Sequence, residues 1–259
     1  LDPLASGVLP ICMGEATKVS AFLLDADKRY RVRCRLGVRT ATGDAEGEIL
    51  ASSAVDCYSR AQLESVLEQF RGSIEQIPPM YSALKHQGQR LYKLARQGVE
   101  VERQPRPVEI YALRLTGQGD DWIEIDVHCS KGTYVRTLVE DIGERLSCGA
   151  HVSELRRTGV GPYDETGLVT ITALEELKQS DLAAMDRLLL PIESALTQWP
   201  GVELSSDAAF YLQQGQPVLV PRAPTSGWVR LYERDHTFLG MGEILDDGRV
   251  APRRLMKGA

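Results

Sequence analysis

The side chains of this 259-residue chain that could do chemistry do not assemble into a metal, nucleotide or hydrolase motif. The sequence has no G-x-x-x-x-G-K-[ST] phosphate loop, no H-E-x-x-H pair and no G-x-S-x-G elbow. His128 and Cys129 are neighbours in an alternating stretch, so they point to opposite faces and cannot share a metal. His86, His151 and His236 are isolated from one another. The five cysteines (Cys12, Cys34, Cys57, Cys129, Cys148) form no C-x-x-C pair, which argues against a zinc knuckle or a disulfide framework and for a reducing, cytoplasmic setting. What remains is the opening segment Leu1-Asp2-Pro3-Leu4-Ala5-Ser6-Gly7-Val8-Leu9-Pro10 and a set of basic strips. Taken locally, Asp2 before Pro3 reads as a turn or as an N-cap with Pro at the first helical position.

The strips are hidden by the total charge. A net −6 argues on its face against a nucleic-acid partner. Yet nine acids against two cations between Val160 and Gly215 contribute −7, which leaves the rest of the chain at +1. Lys28, Arg29, Arg31, Arg33, Arg35 and Arg39 fall in a stretch without a single acid. Seven more cations lie between Met80 and Leu115 against three acids, and Arg249, Arg253, Arg254 and Lys257 close the chain. The acidic total is therefore local, and basic surfaces are available to phosphate.

The elements that must position these groups follow from period. Lys28 to Leu36 alternates as a strand, with Tyr30, Val32, Cys34 and Leu36 on one face and the arginines on the other. Ser59 is placed to cap a helix carrying Leu63, Val66, Leu67 and Phe70, closed by Gly72. Pro78-Pro79 breaks regular structure, and a short basic helix follows from Gln89 to Gln97. Val108–Leu115 and Trp122–Cys129 read as strands, and Val135, Leu138, Val139, Ile142 and Leu146 define a helix. Strands and helices mix without strict βαβ alternation, so the expected class is α+β with an antiparallel or mixed sheet. Past a boundary near Pro200, short strands at Val218–Val220, Trp228–Tyr232, Phe238–Ile244 and Arg249–Leu255 suggest a small β-barrel. The longest apolar runs are far shorter than the ~20 residues of a membrane span.

The opening segment closely resembles the catalytic motif of pseudouridine synthases of the TruB type, which isomerise the uridine of the tRNA T-loop at position 55. The resemblance continues in order through Gly14-Glu15-Ala16-Thr17-Lys18, Asp27-Lys28-Arg29-Tyr30, Pro79-Met80-Tyr81-Ser82-Ala83-Leu84-Lys85 and Ser130-Lys131-Gly132-Thr133-Tyr134-Val135-Arg136-Thr137. It ends in Cys148-Gly149-Ala150-His151, Leu155-Arg156-Arg157, Gly240-Met241-Gly242-Glu243 and Gly248-Arg249-Val250-Ala251-Pro252-Arg253-Arg254, covering essentially the whole chain. It implies a catalytic domain over residues 1–198 with a thumb insertion at about 77–107, then a PUA-like RNA-binding barrel over 199–259. Asp2 becomes the catalytic aspartate, Arg136 the arginine that pairs with it and Tyr30 the aromatic that stacks on the target base. Asp44, Tyr134, Leu155 and Lys85 fall at further substrate-binding positions; for Asp44 an Asx-turn in its Gly-rich loop is the competing reading. Arg90, Lys93 and Arg96 of the thumb, with Arg249, Arg253 and Arg254, are expected to meet RNA. No metal or cofactor is implied, the partner is tRNA through its T-loop and acceptor stem, and the expected state is a monomer.

A non-catalytic tRNA-binding or remodelling protein using the same surface is the alternative. Family members also carry several dozen residues ahead of the motif, including Lys-Pro-x-Gly and His-x-Gly segments, and this sequence has neither. The expectation is an active parent protein and a chain starting at Leu1 that is inactive, or poorly ordered near Asp2.

Overall fold

The computed structural model describes residues 2–257; Leu1 of the opening motif, Gly258 and Ala259 lie outside the described residues. Two compact units are present. The first takes the residues up to Leu9 together with Ala26–Val160. Its strands are β1 (Ser6–Gly7), β2 (Lys28–Leu36), β3 (Val38–Thr40), β4 (Ile49–Ser52), β5 (Gly72–Gln76), β6 (Lys85–His86), β7 (Gln89–Arg90), β8 (Arg106–Gln118), β9 (Trp122–Cys129) and β10 (Ala150–Val160).

The sheet runs in the order β1-β10-β2-β9-β8-β5. β1 lies parallel to β10 and the remaining neighbours are antiparallel, which makes the sheet mixed. Alternation decides its two faces. Val32, Cys34 and Leu36 of β2, Ile123, Ile125 and Val127 of β9, Leu113 and Leu115 of β8, and Val152 and Leu155 of β10 point into one core. Leu138, Val139 and Ile142 of helix Val135–Arg145 and Leu63 and Leu67 of helix Arg60–Glu68 join that core. Each such side chain contributes about 1.5–3 kcal/mol by leaving water. Ser59 caps the second of these helices with a full capping box to Gln62.

The opposite face is polar, as expected of a sheet with one covered side. Here the arginine row of β2 is largely used within the sheet. Arg31 pairs with Asp126 at 3.2 Å, Arg35 with Asp121 at 2.6 Å, and Arg33 lies 4.1 Å over the Trp122 ring. Those guanidiniums balance the acids of β9 and its turn, a pairing that period alone does not display.

One carboxylate of the helix works against folding. Burial, aided by the nearby charge of Glu144, pushes the Asp141 carboxyl up from 3.8 to about 6. The folded state then binds a proton that the unfolded chain has released, so stability falls as pH rises through this window and stays lower above it. Asp141→Asn is expected to stabilise the protein by ~1 kcal/mol at about pH 8, after discounting for partial exposure, and to change nothing at about pH 4. Thermal melts of the two proteins at the two pH values check this.

The second unit takes Pro10–Asp25 and the chain from Gly161 onward. It contains β11 (Tyr163–Asp164), β12 (Gly201–Leu204), β13 (Gly227–Glu233), β14 (Phe238–Ile244) and β15 (Val250–Leu255). The four-stranded sheet follows the path β12-β13-β14-β15, with β12 parallel to β13 and the other pairs antiparallel. The segment at Val218 is a single bridge to Val250, not a strand, and helix Ser206–Gln213 packs Ala209 and Leu212 into the core. By packing, the segment from Gly161 to Pro200 belongs to this unit. Ala195 and Leu196 cluster with Val19, Leu23 and Met241, and Phe22 sits edge-on to both Trp199 and Trp228. Among the described residues no helix is long and apolar enough to cross a membrane.

Candidate active site

Asp2 is presented by a turn. The Ala5 amide donates to the Asp2 carbonyl at 2.9 Å, so the local reading of Asp-Pro as a turn is realised alongside whatever its side chain does. Five residues on, β1 is held against β10 by Gly7 and Arg157. Gly7 has φ +102°, and a Cβ there would stand 2.1 Å from the Arg157 carbonyl oxygen, so only glycine admits the close approach. The Val8 amide donates to that carbonyl at 2.8 Å, and the buried Arg157 side chain donates through Nε to the Val8 carbonyl at 2.7 Å. The short strand that follows the Asp2 turn is thereby fixed at the sheet edge.

Arg136 reaches the same place from the first turn of helix Val135–Arg145. Its side chain is 9% exposed and all three nitrogens are engaged. Nε meets the Asp2 carboxylate at 3.0 Å. Nη1 donates to the Thr42 carbonyl at 2.8 Å and faces Asp44 at 3.4 Å, while Nη2 donates to the Tyr81 carbonyl at 2.9 Å. A guanidinium held at four points cannot swing, and it fixes the orientation of the carboxylate it touches.

Asp44 serves two ends at once. One oxygen accepts from the Glu46 amide at 3.1 Å, which is the Asx-turn, and from the Thr42 hydroxyl; the other faces Arg136. The loop is pinned to β10 by Ala45 and Gly43 bonding both sides of Val152 at 3.0 Å. The Asx-turn is therefore realised, and the same side chain also faces Arg136. Tyr30 is half-buried on β2; burial pushes its phenol up, together with Cys129, the Arg157 guanidinium opposes this, and the Asp2 charge adds to it. Leu155 is buried in the core that runs under this cluster. Tyr134 caps the helix one turn-start before Arg136, half-buried and extended.

Lys85 goes elsewhere. It lies exposed on β6 of the small β6–β7 hairpin and, with Arg90, Tyr92 and Lys93, lines an open depression of about 400 Å³. Among the described residues it forms no ion pair with Asp2 or Asp44. Arg96 lies 5.6 Å from the Tyr92 ring centre on the same short helix, Leu91–Arg96. In the second unit Arg249 pairs with Asp247 at 2.7 Å and Arg253 with Glu243 at 2.9 Å, so both are partly neutralised. Arg254 donates to the Arg253 carbonyl and has no carboxylate partner among the described residues. No group of three or more His, Cys, Asp or Glu among the described residues is arranged to hold a metal.

Three contributors had no signal in the residue pattern. The carbonyls of Thr42 and Tyr81 are backbone atoms and carry no side-chain signature. Gln76, 1% exposed, is a polar residue in a segment whose period does not announce a strand.

A sheet edge thus presents one aspartate to a buried arginine held at four points, and comparison with known proteins gives the family of the chain. Residues 1–135 match the TruB family pseudouridylate synthase N-terminal domain, 136–197 the tRNA pseudouridylate synthase B C-terminal domain, and 200–256 the C-terminal domain of pseudouridine synthase II TruB. The chain belongs to the TruB family of pseudouridylate synthases. It is 56% identical over 256 residues to tRNA pseudouridine synthase B of Nitrosococcus oceani, covering 99% of this chain and 83% of that protein. The enzyme of the same name from Coxiella burnetii is 56% identical over 258 residues, covering 99% and 84%. Among solved structures, a Cbf5-Nop10-Gar1 complex superimposes with a TM-score of 0.75 at 24% identity, over 99% of this chain and 74% of that one. An H/ACA RNP bound to a substrate RNA containing 2'-deoxyuridine gives 0.74 at 22%, over 98% and 74%. At such identities these structures speak to the fold alone.

Proposed function

We propose that this protein isomerises uridine to pseudouridine in tRNA, at position 55 of the T-loop. The observation that carries the reading is the Asp2–Arg136 ion pair at 3.0 Å, with Arg136 locked by Asp44 and two backbone carbonyls, in a chain of this family. The reaction breaks the N1–C1′ bond and joins C5 to C1′; C5 loses a proton and N1 regains one, so electrons balance without an acceptor. One carboxylate suffices, as a nucleophile at sugar or base or as a base at the 2′ position. Arg136 keeps Asp2 aimed, and Tyr30 offers its ring to the base. A uridine stacked in a folded loop must be flipped out to meet them.

The functional division follows the resemblance. Residues 1–198 form the catalytic domain, about 77–107 the thumb, and 199–259 a PUA-like module that supports the acceptor stem. Lys85, Arg90, Lys93 and Arg96 contact phosphates and position the RNA without reading its sequence. The enzyme works as a monomer in the cytoplasm, where tRNA is found.

Incubation with tRNA tritiated at uridine C5 tests the reading: tritium appears in water as pseudouridine forms at position 55. Binding without release would leave a tRNA-binding protein instead. Affinity should fall steeply with salt, and Lys93→Ala or Arg96→Ala should each lower the slope of log K against log salt by about one, uniformly across tRNAs. Filter binding over a salt series measures it.

A further inference from the structure

Gln76 is the last residue of β5, and the excursion that carries Tyr81 and the basic hairpin leaves the sheet immediately after it. Its carboxamide is buried yet does not pair with its own sheet. Nε2 donates to the Tyr134 carbonyl at 3.2 Å, and Oε1 accepts from the Tyr134 amide at 3.0 Å. This is a two-bond clamp on one residue, of the kind one peptide makes on another, and a neutral amide is the side chain that offers donor and acceptor side by side. Tyr134 opens helix Val135–Arg145 with extended backbone and no side-chain cap, and its carbonyl also accepts the first helical bond, from Leu138 at 3.0 Å. The clamp therefore sets where the helix begins. Arg136 stands two residues further on, and its Nη2 returns to the Tyr81 carbonyl of the excursion that Gln76 roots.

We propose that Gln76 is a positioning residue for Arg136: by clamping both backbone groups of Tyr134 it aligns the guanidinium that holds Asp2, and it ties the root of the 77–107 excursion to that alignment. The inference rests on the activity proposed above. Among the described residues Gln76 forms no hydrogen bond to Asp2 or Arg136, and it acts through the helix start. Its effect should fall on the chemical step, because a misplacement of about 1 Å at a reacting group costs on the order of a hundredfold in rate.

The test uses Gln76→Met, which keeps the length and removes both bonds, and Gln76→Glu, which when ionised keeps an acceptor for the Tyr134 amide but sets a second oxygen against its carbonyl. Single-turnover tritium release and tRNA binding are measured for each, with thermal melts. The expected result is a rate about 10–100-fold lower with tRNA Kd within roughly threefold of wild type. Combining Gln76→Met with Arg136→Lys should cost much less than the two single losses together, since both disturb one guanidinium. Wild-type rates in both Gln76 variants, a loss that merely tracks the unfolded fraction, or losses that multiply in the double variant would each overturn the proposal. A wild-type protein that binds tRNA without releasing tritium would overturn the activity itself, and is told apart because the failure precedes any substitution.

Discussion

Asp2→Asn removes tritium release from uridine-labelled tRNA, by at least about 10³–10⁴-fold in rate, and leaves tRNA affinity within a few-fold of wild type. The asparagine amide matches the carboxylate in shape and can still face Arg136, so the turn to Ala5 and the β1–β10 pairing are retained. What it loses is the negative charge and the lone pair that either attacks or takes a proton; an amide does neither. Because all three chemical roles open to Asp2 need the carboxylate, the size of the loss does not depend on which one operates. The stability effect is small by comparison. The Asp2 side chain is 35% exposed and its ion pair is screened, and Arg136 keeps Asp44, so a decrease of about 1 kcal/mol is expected. Single-turnover release, filter binding and a thermal melt on the same preparation separate the three quantities. Retained release in the asparagine variant would remove Asp2 from the chemistry.

Period was readable where a strand or helix is covered on one side only. β9 alternates without a fault, β2 nearly so, and helix Val135–Arg145 declares its stripe through Leu138, Val139 and Ile142. β10 went unread although it lies inside the sheet, between β1 and β2. Its ladder with β2 shifts register between Val152 and Glu154 and again between Arg157 and Gly159. Where burial does alternate, from Glu154 to Gly159, the inward positions include Arg157 and Gly159, which carry no apolar signal. β5 has one apolar residue, Ile74, and ends on a buried glutamine whose purpose is visible only once Tyr134 is beside it. β12 is four residues long and pairs in parallel with a strand more than twenty residues away, which no local pattern encodes. At the site, residue type and spacing alone offered Asp2 no better than a turn. The resemblance joined it to Arg136 across the length of the first unit, and the geometry sets them 3.0 Å apart. Charge was misleading in the other direction. The arginines of β2, Arg249 and Arg253 stand out in the sequence, whereas the acids that engage them come from adjacent strands or tight turns.

Arg136→Lys tests whether the site needs a charge or a shape. Lysine keeps the positive charge and most of the length, but one ammonium cannot meet Asp2, Asp44 and the carbonyls of Thr42 and Tyr81, which the guanidinium reaches through three separate nitrogens. If charge were enough, the rate would be near wild type. The geometry instead predicts a fall of about 10²–10³-fold, because Asp2 loses its fixed partner and its carboxylate explores orientations that do not meet the uridine. tRNA affinity should change little, since Arg136 is buried and offers no surface to phosphate. Removing the charge as well, in Arg136→Met, adds a second and different penalty. The Asp44 side chain, 5% exposed, would be left with the Thr42 hydroxyl and the Glu46 amide but no cation, a loss of about 3–5 kcal/mol for a broken buried pair. The lysine variant should thus melt several degrees above the methionine variant while remaining nearly as slow, a divergence of stability from rate that a purely structural arginine would not produce.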